Sequence, residues 1–186
     1  IGLWAAPGGL VGGNESLEDA VKRTLETKTG LELNYFEQLQ TFGDIGRDPF
    51  GRVVSVAYLI PLPPVELNIA TSEQYKDIQW FDVRKLPKLA YDHKEIITRG
   101  VERLRSKLEY SNIVTTLLPK YFTLTQLQTA YETILGKKLD KRNFRKKVVL
   151  LKLVKPTSFF DTSRPNRPAQ MFTAGSSRIH SSRVLS

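Results

Sequence analysis

The stretch Gly9 to Leu31, GLVGGNESLEDAVKRTLETKTGL, decides how the chain is read. Gly9, Gly12 and Gly13 mark a glycine-rich turn. Asn14 and Ser16 are candidate helix N-caps, and Glu18 and Asp19 lie in the first turn, where acidic charge suits the helix dipole. Leu17, Ala20, Val21 and Leu25 recur at helical spacing, and Gly30 suits a left-handed stop. The pattern predicts one helix between two tight turns. Glu15 and Arg23 are placed to tie the loop to the helix as an ion pair. Beyond Arg23 the helix continues through Thr24, Thr27 and Lys28, with Glu26 as its one further carboxylate.

Working outward, Trp4-Ala5-Ala6-Pro7-Gly8-Gly9 reads as a short strand breaking into the turn. Leu31 to Gln40 reads as a strand, Gly43 to Gly51 as a turn-rich loop, and Arg52 to Leu62 as the strongest strand of the chain, rich in β-branched and aromatic residues. A further short strand is expected at Gln79-Trp80-Phe81-Asp82. Tyr91 to Tyr110 has helical spacing, with Asp92 as candidate N-cap. The order of strand, helix, strands and helix predicts an α/β sandwich.

The second half reads differently. Ser111 to Leu118 has helical apolar spacing. Thr123 or Thr125 caps a helix over Gln126 to Leu135, and Gly136 stops it. Asp140 opens a second helix through Val149, with Phe144 and Val148 inward and Lys141, Arg142, Arg145 and Lys146 on the other side. Two helices joined by a short glycine-containing turn, the second one basic, form a helix-turn-helix pattern. Two short strands around a basic tip follow, from Leu153 to Phe172, and read as a wing.

Bulk properties frame both halves. The chain has 186 residues, with a 40% hydrophobic and a 25% charged share, ordinary for a globular protein of one medium and one small domain. It has no cysteine, which removes disulfides, thiolate zinc sites and a cysteine nucleophile and fits a reducing, cytoplasmic setting. No apolar run approaches the roughly 20 residues that span a bilayer, and no secretory signal is expected. The net charge of +9 is uneven: residues 1–116 hold 14 Lys and Arg against 16 Asp and Glu, and residues 117–186 hold 14 against 3. The excess predicts a polyanion partner for the C-terminal part or a solvated basic tail.

The first segment resembles the Nudix family, whose box is G-x5-E-x7-R-E-U-x-E-E-x-G-U with U aliphatic. Gly9, Glu15, Arg23, Leu25, Gly30 and Leu31 fall on its scaffold positions. The family cleaves pyrophosphates with Mg²⁺ or Mn²⁺ held by glutamates, and the matching positions here are Thr24, Thr27 and Lys28. Glu26 projects about 100° away from Thr27 on the helix and is a poor substitute. No metal or other cofactor is therefore expected. Mg²⁺ would enter only with residual hydrolase activity, using carboxylates such as Glu37, Glu73 or Glu95. The stretch from Gly43 to Tyr58 is typical of the ADP-ribose-related branch. That likeness makes Arg47 and Arg52 candidates for phosphate or ribose contacts and Phe50 for base stacking. Nudix domains carry strands upstream of the box, and these N-terminal strands are expected to be missing from this chain.

The second half resembles the winged helix-turn-helix of NrtR-type, Nudix-related transcriptional regulators. The resemblance rests on Leu117-Leu118-Pro119, Phe122-Thr123-Leu124, the run from Leu139 to Lys147 and Arg167-Pro168-Ala169. It implies a Nudix-like ligand-sensing domain over 1–110, a DNA-binding domain over 111–174 and a disordered tail over 175–186. It further implies a homodimer that represses NAD-biosynthesis or sugar-metabolism genes, with ADP-ribose or a related metabolite as effector. Lys141, Arg142, Asn143, Arg145, Lys146 and Arg167 are the expected contacts to double-stranded DNA, since Arg and Asn read base edges and Lys meets phosphate. Two other classes stay open: an ADP-ribose pyrophosphatase with an appended basic domain, and an RNA-binding module.

Overall fold

The computed structural model describes residues 2–31, 33, 35–63, 78–163 and 168–176. The chain divides into two compact units, Ile1–Ile60 with Val65–Gly100, and Pro61–Pro64 with Val101–Ser186.

In the first unit, α1 (Leu17–Thr29) begins where Ser16 accepts from the Asp19 backbone N–H, and it ends at Gly30, whose φ of 65° is left-handed. Gly30 N–H donates to the Glu26 carbonyl, satisfying a terminal carbonyl of the helix. Strands β1 (Glu37–Phe42) and β2 (Ser55–Leu59) pair antiparallel from Glu37↔Leu59 to Phe42↔Ser55, with a bulge between Gln38 and Gln40. Leu39 and Phe42 are buried. The first turns of α2 (His93–Tyr110) lie close by: a Cβ on Gly100 would sit 3.8 Å from Leu39 Cδ2.

Three expectations for this unit need correction. Strand β1 starts six residues later than the composition predicts and runs two further, and β2 keeps only Ser55–Leu59 of its predicted run, because each strand extends only as far as the other pairs with it. Residues 79–82 form no strand. Asp82 instead starts a turn in which its carboxylate takes the Arg84 N–H and its carbonyl the Lys85 N–H, a local bond that competes with a ladder. Trp4 pairs with Leu89 and meets Phe81 edge-on, with ring centroids 4.7 Å apart. Asp92 does not cap α2 with its side chain, because both carboxylate oxygens are taken by Arg47.

In the second unit, Ser111 to Leu118 is not an α-helix. It forms a 3₁₀ turn over Ile113–Leu117. The hydroxyls of Thr115 and Thr116 donate to the Asn112 and Ile113 carbonyls three residues back, which favours the tighter winding. Strand β3 (Phe122–Thr123) leads into α3 (Leu124–Leu135), whose start is a full capping box between Thr123 and Gln126. Gly136, with φ 70°, ends it. Helix α4 (Lys141–Leu150) is capped by Asp140, and β4 (Val154–Asp161) and β5 (Ala169–Ala174) close a three-stranded sheet of order β3-β5-β4. Tyr131 and Phe144 meet edge-on between α3 and α4, and Phe122, Leu127 and Val148 complete a dry centre. Gly175 stays bound to this sheet, its N–H donating to the Leu153 carbonyl at 2.8 Å. The expected tail beyond it falls outside the described residues over 177–186.

Candidate nucleic-acid interface and ligand loop

The box segment is a braced loop. Glu15 receives two hydrogen bonds from Arg23, at 2.9 and 2.5 Å, and one from the Gly12 N–H at 2.6 Å. Arg23 also donates to the Leu10 carbonyl. The Arg23 guanidinium, helped by the Gly12 N–H, holds the Glu15 carboxyl down at about 2. Glu15 and Arg23 thus form the tie that the box resemblance implies. Where the family's glutamates would stand, Thr24 packs against Gly9, Thr27 is exposed, and the Lys28 ammonium donates to the Gly8 carbonyl. The lysine therefore brings a positive charge to the start of the glycine loop. No group of three or more His, Asp or Glu among the described residues could hold a metal ion. Of the substitute carboxylates, Glu37 accepts from Tyr35, Glu95 faces Arg99 at 3.9 Å on the surface of α2, and Glu73 lies outside the described residues.

The loop between β1 and β2 separates its three candidates. Arg47 is only 6% exposed and makes a two-pronged pair with Asp92, both bonds 2.7 Å, plus a bond to Ser55. It is spent on holding the loop to α2. Arg52 is exposed and braces the loop neck. Phe50 stands 87% exposed at the tip, its N–H held by Asp48. Arg52 and Phe50 are thus the candidates left facing solvent. Sequence reasoning missed His93, whose Nδ1 accepts the Ala6 N–H at 2.8 Å and latches the approach to the glycine loop onto α2. Burial pushes its pKa down, with Asp92 opposing and Arg47 assisting. The imidazole is therefore kept in the neutral form that can accept this bond. No local pattern marks this histidine, because its partner lies 87 residues away.

In the second unit, α4 turns Phe144 and Val148 inward and leaves Lys141, Arg142, Asn143 and Lys146 exposed. Asp140 accepts the Asn143 N–H at 2.8 Å and so fixes the first turn that carries these side chains. Arg145 departs from this group. It is partly covered and reaches Thr125 on α3. Arg167 lies outside the described residues.

The turn into α4 is set by Glu132, which sequence reasoning assigned no role. Its carboxylate takes bonds from Gln128, Lys138 and the Leu139 N–H, and Gln128 also donates to the Leu139 carbonyl. Lys138, then the Leu139 N–H and Gln128, hold the Glu132 carboxyl at about 2, against an ordinary 4.5. A carboxyl depressed on folding stabilises above its unfolded pKa, and that contribution disappears as pH falls through the folded value. Glu132→Gln should therefore lower Tm at pH 7, and the gap to wild type should close between about pH 4.5 and 2. A gap that stays constant over that range in a melting series would rule the linkage out.

Comparison with known proteins agrees with this arrangement. Residues 1–100 match the NUDIX domain, and residues 114–174 match the NrtR DNA-binding winged helix domain. The ADPR responsive transcriptional repressor NtrR of Acinetobacter baylyi is 36% identical over 175 residues, covering 91% of this chain and 68% of the relative. An ADP-ribose pyrophosphatase of Methanocaldococcus jannaschii is 36% identical over 96 residues, which cover 52% of this chain and about half (56%) of that enzyme. The crystal structure of Shewanella oneidensis NrtR complexed with a 27mer DNA superposes with a TM-score of 0.81 at 35% identity, covering 94% of this chain and 80% of that one. With its box scaffold at one end and its capped basic helix and wing at the other, the chain belongs to the NrtR family of Nudix-related transcriptional regulators.

Proposed function

We propose that this protein is a transcriptional repressor that binds operator DNA through α4 and the wing and responds to ADP-ribose in its Nudix domain. The observation that carries the reading is the α4 surface: Lys141, Arg142, Asn143 and Lys146 stand exposed on a helix whose opposite face is buried and whose start is capped. Such a helix enters the major groove N-terminal end first. Support for DNA and for the effector comes from the S. oneidensis protein crystallised with DNA and from the A. baylyi repressor described as ADPR responsive. Phe50 stacks on the adenine ring, and Arg52 meets the ribose or phosphates. Arg47 keeps the loop that presents them in place. Two copies reading half-sites about one helical turn apart, or a multiple of it, complete the operator complex.

The likeness to the M. jannaschii pyrophosphatase favours a second reading, a hydrolase. Thr24, Thr27 and Lys28 weigh against it, because they stand where the family's metal-binding glutamates would be, and a lysine brings positive charge where a metal site needs negative ligands.

One experiment separates the two. Purified protein is titrated onto a fluorescent duplex that it has enriched from a randomised library, with and without ADP-ribose and Mg²⁺, while AMP and ribose 5-phosphate are assayed. ADP-ribose is expected to release the duplex with no product formed. Arg142→Ala is expected to weaken binding roughly tenfold or more, the value of one good base or phosphate contact. Turnover at about 1 s⁻¹ or faster, with no duplex bound, would establish the hydrolase instead.

A further inference from the structure

Arg145 follows the buried Phe144 on α4, so a rotation of about 100° puts it at the border between the packed stripe and the basic face. Its surroundings differ from those of Lys141, Arg142, Asn143 and Lys146. The guanidinium leans onto α3, where one terminal nitrogen donates to Thr125 Oγ1 at 3.0 Å. Its Nε is sealed from solvent, with no acceptor among the described residues. With Nη2 bonded and Nε covered, that edge of the guanidinium is closed to a two-pronged phosphate contact.

The anchor point is itself rigid. Thr125 lies in the first turn of α3, where Thr123 N–H donates to Gln126 Oε1 at 2.7 Å and Gln126 N–H donates back to Thr123 Oγ1 at 3.2 Å. At the other end of α3, Glu132 grips the Leu139 N–H just before α4 begins. Between these two ties, Tyr131 and Phe144 form the apolar contact. Apolar packing tolerates sliding and rotation, whereas two directed bonds at separated points fix one crossing angle.

We propose that Arg145 is a positioning residue for DNA reading: by bonding Thr125 it sets the angle at which α4 is presented, and it does not contact phosphate. The inference rests on α4 being the DNA-reading helix. It also separates two roles that charge alone assigns together. The guanidinium is needed for its shape and reach, so a lysine, which keeps the charge but lacks the planar fork, does not replace it.

The test compares the full chain with Arg145→Ala, Arg145→Lys, Thr125→Val, Thr125→Ser and Lys146→Ala in two measurements. In hydrogen exchange without DNA, Arg145→Ala, Arg145→Lys and Thr125→Val should speed exchange in α4 at least severalfold, while Thr125→Ser and Lys146→Ala leave it unchanged. In binding to the enriched duplex across a salt series, those same three variants should bind about tenfold more weakly with the wild-type slope. Combining Arg145→Ala with Thr125→Val should add nothing further. Lys146→Ala should instead lower the slope by about 0.9, the loss of one phosphate contact. Unchanged exchange in Arg145→Ala overturns the proposal. So does a slope loss of about 0.9 in Arg145→Ala alongside full binding by Arg145→Lys and Thr125→Val. Failure of the wild-type chain to bind any duplex overturns the functional reading and this inference together, an outcome distinct from either of these.

Discussion

Gly175→Ala should destabilise the winged-helix unit by about 3 kcal/mol, at the upper end for overpacking a tight site, and so lower its Tm by about 12 to 24 °C. A Cβ added at Gly175 would lie 1.9 Å from the Lys152 carbonyl oxygen and within 3.0 Å of two further backbone carbons at Lys152 and Leu153. Contacts with a side-chain tip can be relieved by a rotamer change, but these are with backbone. Lys152 has little room to retreat. Its φ is already 53°, it follows the last turn of α4, and its N–H is bonded to Val149. Relieving the clash would break the Gly175 to Leu153 bond and part the ends of β4 and β5, where Val154 pairs with Ala174. Because β4 follows α4 directly, DNA binding should fall together with stability. Gly13→Ala is the control, since nothing lies within 4 Å of its added Cβ. A melting curve of Gly175→Ala that overlays wild type would show that the backbone there yields and that this account of the wing is wrong.

Asp92→Ala should have an effect of similar size in the first unit. Arg47 and Asp92 are 6% and 16% exposed, so solvent screens neither well. Removing one member of a buried pair leaves the other charge uncompensated, at a cost of about 3 to 5 kcal/mol. Some of that is recovered if Arg47 keeps its bond to Ser55, so about 3 kcal/mol is expected. Arg47→Met combined with Asp92→Leu should be milder than Asp92→Ala alone, because no stranded charge remains. The pair also holds the loop that carries Phe50 and Arg52, so Asp92→Ala should weaken ADP-ribose binding at temperatures where the unit is still folded. Urea unfolding and calorimetric titration read the two effects separately. Equal stability of the single and double replacements would refute the stranded-charge argument.

Much of the local structure could be read directly from residue order. Gly30, Gly136 and Asp140 stop or start helices as their types predict, and of the paired candidates Ser16 and Thr123 are the caps. The reason is that a cap is closed by residues three or four positions away, within reach of any conformation the chain adopts there. Glu15 and Arg23 are eight residues apart, and their pairing was legible because both fall on scaffold positions of the Nudix box. The basic face of α4 follows from helical periodicity around Phe144 and Val148.

Residues whose partners are remote in sequence carry contacts that residue order does not show. Arg47 reads as a ligand contact until its carboxylate, 45 residues on, is seen beside it. Arg145 reads as one more DNA-facing cation, and only the fold shows Thr125, 20 residues back, bonded to it. Residues 79–82 have the composition of a strand, but a strand needs a neighbour, and Asp82 finds its bonds within its own turn. Gly175 looks like the start of a loose tail, and only the packed fold brings the Lys152 carbonyl to where a side chain would be. Residue order alone determined α1, α3 and α4 with their caps, the helical run of α2, the loss of metal-binding carboxylates from the box and the basic character of the second unit. Tertiary structure decided which charged side chains are spent on holding the fold and which remain free to meet a ligand, because burial and distant partners, not residue type, set that division.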